Sequence, residues 1–245
     1  MAQSRPPGDA AVPRPGAGLR IAVDGISLDV PPGQSVALLS QPREVAVELL
    51  DMVAGLRRPG KSGSVVVGGV ALEKLNRQAL DRYRASRGLL SPRFPLLASR
   101  SVMGNVLAAL PSARVDPLTR ERAVELLALA GAGSLPGPVS ELTAEQQWRV
   151  LVARALLPEP RVVLAEDPGL GLGTRNLDAR GVTAIWDLLM DMHALFGFTL
   201  LVVTDRAATA IRCQRMVTLS GWSVTDDEPT GGDDPWTRGR VDRIG

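Results

Sequence analysis

The sequence is poor in the residues that most often hold metals and aromatic ligands. It contains one cysteine and one histidine. Cys213 alone builds neither a disulfide framework nor a cysteine-based metal site, a pattern that fits a reducing compartment. His193 stands in a helical run of mixed polarity, where it reads as a packing or surface side chain rather than a ligand. Aromatic residues make up 3% of the chain, and none precedes Tyr83. No apolar run reaches the roughly 20 residues that a membrane-spanning helix needs. Residues 1–18 are rich in Pro, Gly and Ala without a continuous apolar stretch, so they read as a flexible arm with no targeting segment. An excess of one charge is lacking too: the formal net charge is +2. Although the pI is near 9.2, this gives no electrostatic footprint for nucleic acid, and none is expected as a partner.

What is present is a core-forming composition, 45% hydrophobic and 22% charged over 245 residues, enough for one large domain or a domain with a subdomain. The patterning alternates between strand and helix. LRIAVDGISLDVPPG reads as one or two antiparallel strands closed by a Pro-Pro-Gly turn. Ser35 to Ser40 is a short apolar run suited to a buried parallel strand. PREVAVELLDMVAG then turns helical, with Val45, Leu49, Met52 and Val53 on one face, Glu44, Glu48 and Asp51 on the other, and Gly55 at its C-terminal end. GSVVVGGVAL returns to strand. TDDEPTGGDDPWTRGRVDRIG is polar and rich in Gly, Pro and Asp, so residues 223–245 read as a disordered tail.

One stretch fits a phosphate-binding pattern at every specified position: GLRRPGKS, Gly55 to Ser62, matches G-x-x-x-x-G-K-[ST]. That pattern works where a strand runs into a helix, because the helix N-terminus supplies the aligned N–H donors. Here the order is reversed. The stretch leaves a helix and enters a strand, and Pro59 lacks an N–H, so Lys61 belongs to an ordinary connecting loop.

The strand-to-helix junction lies earlier, in LLSQPREVAVELLDMVAGL, and there the chain resembles the ATP-binding-cassette nucleotide-binding subunits of ABC transporters. In that family a strand runs into G-x-x-G-x-G-K-[ST]-T and a helix ending in AGL. The register holds without a gap while the motif itself is absent: Ser40, Arg43 and Val45 take the places of the three glycines, Ala46 that of the lysine, and Val47 that of the Mg²⁺-binding hydroxyl. ELTAEQQWRVLVARALLPEPRVVLAEDP is similar to the family's signature helix and the strand that ends in Asp-Glu. Gln147, Arg149, Ala153, Arg154, Ala155 and Leu156 match. Thr143 keeps a hydroxyl at the serine position, Ala144 and Glu145 replace two glycines, and Glu166-Asp167 is the acidic pair in exchanged order. Pro92 stands at the Q-loop glutamine and Asp205 at the histidine that follows the last core strand. Leu177-Asp178 resembles the D-loop, reached after an inserted Gly-rich stretch, and the aromatic that would stack on adenine is missing before the first strand.

The resemblance implies an α/β P-loop NTPase fold of the ABC type over residues 19–222. It has an N-terminal antiparallel β layer, a mixed or parallel core sheet, and a helical subdomain at about 85–157. Losing the lysine and the hydroxyl removes two charge-assisted contacts worth roughly 1.5–3 kcal/mol each. Glu44 adds negative charge, and Pro42 removes a donor. The same residues make a good helix start, with Ser40 as N-cap, proline in the first turn and Glu44 on the positive end of the dipole. Position 46 falls at the helix start, off the core face. Glu166 reaches toward a metal in isolation, but Asp167 is one methylene shorter than the expected base. The expectation is therefore no resident metal or cofactor, with ATP and Mg²⁺ entering only through residual binding.

By family resemblance the partners are a membrane permease and a second nucleotide-binding subunit, with a hetero-dimer favoured. The location is then cytoplasmic, peripheral to the inner face of the plasma membrane. The apolar segment after Phe94 is expected to take the permease contact, with Leu97 and Val102 as contact positions. Two alternatives stay open: a working ATPase whose phosphate contact is Lys61 or Arg43, and a soluble regulatory or scaffold protein on the same fold.

Overall fold

The computed structural model describes residues 16–169 and 177–230. Residues 1–15 of the expected arm, the Gly-rich insert beyond Gly169 together with Asn176, and the last part of the expected tail, 231–245, lie outside them. The chain forms β1 (Leu19–Val23), β2 (Ile26–Val30), β3 (Ser35–Gln41), α1 (Arg43–Val53), β4 (Ser64–Val67), β5 (Val70–Ala71), α2 (Arg77–Arg84) and β6 (Gly88–Leu90). Next come α3 (Val102–Leu107), α4 (Pro117–Leu129), α5 (Ala144–Leu156), β7 (Val162–Glu166), α6 (Ala179–Phe196), β8 (Thr199–Thr204), α7 (Ala207–Ala210), β9 (Arg215–Ser220) and β10 (Ser223–Pro229). The expected α/β architecture is present: an antiparallel sheet in the order β2-β1-β4-β5, and a larger sheet in the order β10-β9-β3-β8-β7-β6. In the larger sheet β6, β7, β8, β3 and β9 run parallel, and β10 is an antiparallel edge.

The two-residue period of the core strands divides the hydrophobic interior in two. Ala37, Val163, Ala165, Leu200 and Val202 point into a cluster with α3, α4, α5 and α6. Their neighbours Val36, Leu38, Val162, Leu164, Leu201 and Val203 point the other way, into a cluster with α1 and the antiparallel sheet. Because both faces are covered, β7 and β8 are buried at every position and read in sequence as unbroken apolar runs. His193 belongs to this packing: it is buried, its Nε2 lies 3.0 Å from the Gly33 carbonyl, and its ring meets Phe198 edge-on.

Helix α1 buries Val45, Ala46, Leu49, Leu50, Met52 and Val53. A fully buried Leu or Val contributes roughly 1.5–3 kcal/mol, so this face accounts for the helix better than propensity does. It ends at Gly55, whose φ of +68° is the left-handed conformation that glycine adopts without strain. Its last carbonyls are satisfied from α2 and the turn after it: Tyr83 Oη donates to Val53, Arg87 to Ala54 and Arg84 to Gly55.

Three boundaries differ from expectation. Ser223–Pro229 is strand β10 rather than tail, because Gly221-Trp222 turns the chain back along β9 and the ladder gives these polar residues partners that composition does not reveal. Gly88–Leu90 belongs to the core sheet beside β7, so the helical layer begins after it and not at 85. Gly16 and Ala17, assigned to the flexible arm, donate their amides to the Gly197 and Arg161 carbonyls.

Candidate functional site

The C-terminal ends of β3, β7 and β8 lie side by side in the core sheet and carry the residues singled out in the sequence. At the first of them β3 runs on to Gln41, and α1 begins at Arg43 with Pro42, after a cis Gln41–Pro42 bond, at the N-cap position. Ser40 is therefore not the cap. It is buried in the strand, and its hydroxyl donates to the Pro42 carbonyl at 2.7 Å. Glu44 lies in the first turn as expected. Between Gly33 and Gly55 no residue takes a left-handed backbone conformation. The positions of a glycine-rich cradle, Arg43 and Val45, are the opening turn of a regular helix. Ala46, in the lysine's place, is fully buried, contrary to its expected position off the core face, because α1 lies between two sheets and its buried stripe is wide. Val47 packs partly against the same cluster.

At the end of β7 both members of the acidic pair are fully buried and each meets an arginine. Glu166 Oε1 accepts from Ser91 Oγ at 2.6 Å and from Arg93 Nε at 2.6 Å, while Oε2 has no partner. Arg93 also forks onto Asp51 of α1, at 2.7 and 3.0 Å. Those hydrogen bonds to Asp51, joined by those to Glu166, outweigh burial and hold the Arg93 guanidinium more firmly protonated than usual. Asp167 accepts from Arg206 at 2.7 Å and 3.2 Å, from Thr204 Oγ1 at 2.7 Å, from the Gly169 amide at 2.8 Å and from Trp186 Nε1 at 3.3 Å. Burial alone would raise its pKa; the donors from Arg206, Thr204 and Gly169 together overcome that and leave the carboxyl below its ordinary value. A side chain at Gly169 would collide with the Arg206 guanidinium, so glycine is what permits the close approach.

The remaining sequence candidates divide by position. Pro92 stands between Ser91 and Arg93, and Asp205 is exposed beside the inward-turned Arg206. Thr143 caps α5: its hydroxyl accepts from the Gln146 amide at 3.2 Å, and the Gln146 side chain accepts from the Thr143 amide at 2.9 Å. Ala144 and Glu145 form the first turn, with Glu145 bound to Arg149 at 2.8 Å. The partners of Thr143 and Glu145 thus lie within α5 itself. Lys61 is exposed in the turn between α1 and β4. Cys213 is buried, and its thiol is pushed up to about 12 by burial, so it is no nucleophile.

Sequence reasoning did not find Arg93, Arg206, Asp51, Ser91, Thr204 or Trp186. A signal was present for the arginines: each directly follows a residue singled out in the sequence, Pro92 and Asp205. Their carboxylate partners lie 73 and 39 residues away in sequence.

Comparison with solved structures gives the class. The fold is similar to cbiO1 from Clostridium perfringens, part of the ABC transporter complex cbiONQ, with a TM-score of 0.77 and 22% identity over 88% of this chain and 89% of that one. It is likewise similar to the dimeric ATP-binding cassette MJ0796 bound to ADP and Pi, with a TM-score of 0.71 and 22% identity over 89% of this chain and 99% of that one. At that identity the likeness defines an ATP-binding-cassette fold.

Curated relatives add sequence to fold. The methionine import ATP-binding protein MetN of Halalkalibacterium halodurans is 32% identical over 211 residues, 85% of this chain and 61% of that protein. MetN 1 of Salmonella typhi is 33% identical over 216 residues, 84% and 60%, and MetN of Thermobifida fusca 33% over 209 residues, 84% and 63%. The chain belongs to the ATP-binding-cassette family and spans 60–63% of the length of these relatives. No family model matches it.

Proposed function

We propose that this chain is a noncatalytic ATP-binding-cassette subunit of a membrane transporter, docked on a permease and paired with a second nucleotide-binding subunit. The observation that carries the reading is the pairing of both carboxylates at the end of β7 with arginines, Glu166 with Arg93 and Asp167 with Arg206. The family implies Mg²⁺ and ATP at these strand ends, and the residues present do not fit them. A divalent cation approaching Glu166 Oε1 meets a guanidinium already bonded there. At the β3–α1 junction the lysine's place holds a buried methyl group, and the opening of the helix carries Glu44. No step of hydrolysis is therefore derived through these residues.

The transporter setting is supported by the relatives named for methionine import and by the similarity to a component of an ABC transporter complex. Among the described residues no helix is long and apolar enough to cross a membrane. In this reading attachment runs through a permease at the inner face of the plasma membrane. Phe94 and Leu97 are exposed on the segment assigned to that contact, whereas Val102 is buried core and is withdrawn as a contact position. The relatives' names also say ATP-binding, which favours a second reading in which this chain still takes nucleotide. Arg43, the basic residue in the first turn of α1, is then the phosphate contact.

Two measurements test the proposal. The purified chain is expected to show no Mg²⁺-dependent ATP hydrolysis above background, and turnover abolished by Arg43→Ala would establish the second reading instead. Crosslinking in native membranes is expected to recover a permease and a second cassette subunit. A wholly soluble monomer with neither would replace the transporter assignment with a soluble regulator on the same fold.

A further inference from the structure

The segment from Ser91 to Ser101, between β6 and α3, has no regular helix or strand, yet its contacts reach three other elements. Ser91 and Arg93 bind Glu166 at the end of β7, and Arg93 also grips Asp51 of α1. Arg154 of α5 donates to the carbonyls of Phe94 and Pro95. Asn105 of α3, fully buried, accepts from the Leu97 amide at 2.6 Å and donates to the carbonyls of Leu97, Arg100 and Ser101. Helices α3 and α5 pack in the cluster on one face of the core sheet, and α1 in the cluster on the other. Arg93 therefore ties the segment held by α3 and α5 to α1 and the end of β7, and its guanidinium also lies 5.7 Å from the Phe94 ring.

We propose that Arg93 is a built-in pin: bound at once to Asp51 and Glu166, it holds the 91–101 segment, and with it α3 and α5, against α1 and β7 without any ligand at the junction. Three features point this way. The guanidinium is bidentate on Asp51, which fixes direction as well as distance. Glu166 is fully buried, where a charge pair is weakly screened. Arg154 and Asn105 hold the rest of the segment by polar contacts, alongside the buried Leu96 side chain, so displacing Arg93 frees the end of the segment that faces α1 and β7. The inference concerns the position of the segment and stands whether or not the chain takes nucleotide.

The test is hydrogen exchange on the full chain without nucleotide, so that its outcome is independent of the reading above. In Arg93→Ala the amides of Arg93, Phe94, Leu97 and Arg100 are expected to exchange about tenfold faster or more, while those of β1, β2 and α6 keep wild-type rates. Arg93→Lys, which reaches one carboxylate but cannot fork, is expected to fall between. A folded Arg93→Ala with wild-type exchange across 91–101 overturns the proposal. So does an equal acceleration of the segment in Arg206→Ala, whose ion pair joins the ends of β7 and β8 without touching the segment, since that would mark general loosening. If Arg93→Ala does not fold, Asp51→Asn reads the same amides: faster exchange confined to the segment supports the pin, and unchanged exchange overturns it.

Discussion

The β3–α1 junction and the end of β7 lie at strand ends of one sheet, on either side of β8, and they are built from opposite kinds of side chain. At β3–α1 the side chains in the places of phosphate and metal contacts are apolar: Ala46 is fully buried, and Val47 packs beside it. At β7 the charges remain, and Glu166 and Asp167 are both fully buried. The difference is physical. An alanine or valine inserted into a core needs only space, whereas a carboxylate removed from water needs a counter-charge and donors. Arg93, Arg206, Ser91, Thr204 and the Gly169 amide supply these. One strand end is core, and the other is an internal ion-pair site.

That contrast is broken most severely by Ala46→Lys. A lysine there must place an ammonium and four methylenes in a filled layer between two sheets, which is expected to cost more than about 4 kcal/mol and leave the chain unfolded by circular dichroism. A folded variant with a native spectrum would show that the junction still has a path to solvent. Next comes Arg93→Ala, which leaves Glu166 with the Ser91 hydroxyl alone; chemical denaturation is expected to show a loss of about 3 kcal/mol. A loss under about 1 kcal/mol would make the pair peripheral to stability.

Arg206→Ala is expected to cost less, about 1–2 kcal/mol, because Asp167 keeps three other donors and Arg206 is partly exposed. This variant also carries a pH signature. The folded Asp167 carboxyl lies below its ordinary value, so its contribution is complete above the unfolded carboxylate pKa and is lost as pH falls through the folded one. Wild-type stability is thus expected to decline below about pH 4, and the variant to decline less steeply there. Parallel acid profiles would show that the arginine does not set the Asp167 titration. The smallest effect belongs to Lys61→Ala in the exposed turn: within about 0.5 kcal/mol in stability. A larger loss would mean that the turn packs against something it does not touch in this structure.

Much of this architecture is legible in the sequence because its signals are local and redundant. The short apolar run from Ser35 to Ser40 marks a strand buried in the core sheet, and the α1 pattern gives the helix together with its glycine stop. The order of elements alone exposes GLRRPGKS as a loop. Strand β10 is hidden because its sequence, SVTDDEP, is that of a polar edge whose only reason to extend is the ladder to β9. The burial of Ala46 is hidden because residues at a helix start are usually half exposed, and only the second sheet closes over it. The ion-pair site is the least legible. Its acids and arginines come from separate stretches of the chain, and although Arg93 and Arg206 adjoin Pro92 and Asp205, nothing in sequence ties them to Glu166 and Asp167.

With Ala46 buried at the β3–α1 junction and both β7 carboxylates bound to arginines, these strand ends are filled by the chain's own side chains. Calorimetric titration of the folded wild-type protein with Mg-ATP is expected to give no saturable heat up to millimolar nucleotide, with the same flat trace for Arg43→Ala. Saturable binding in the micromolar range would show that the strand ends still admit nucleotide.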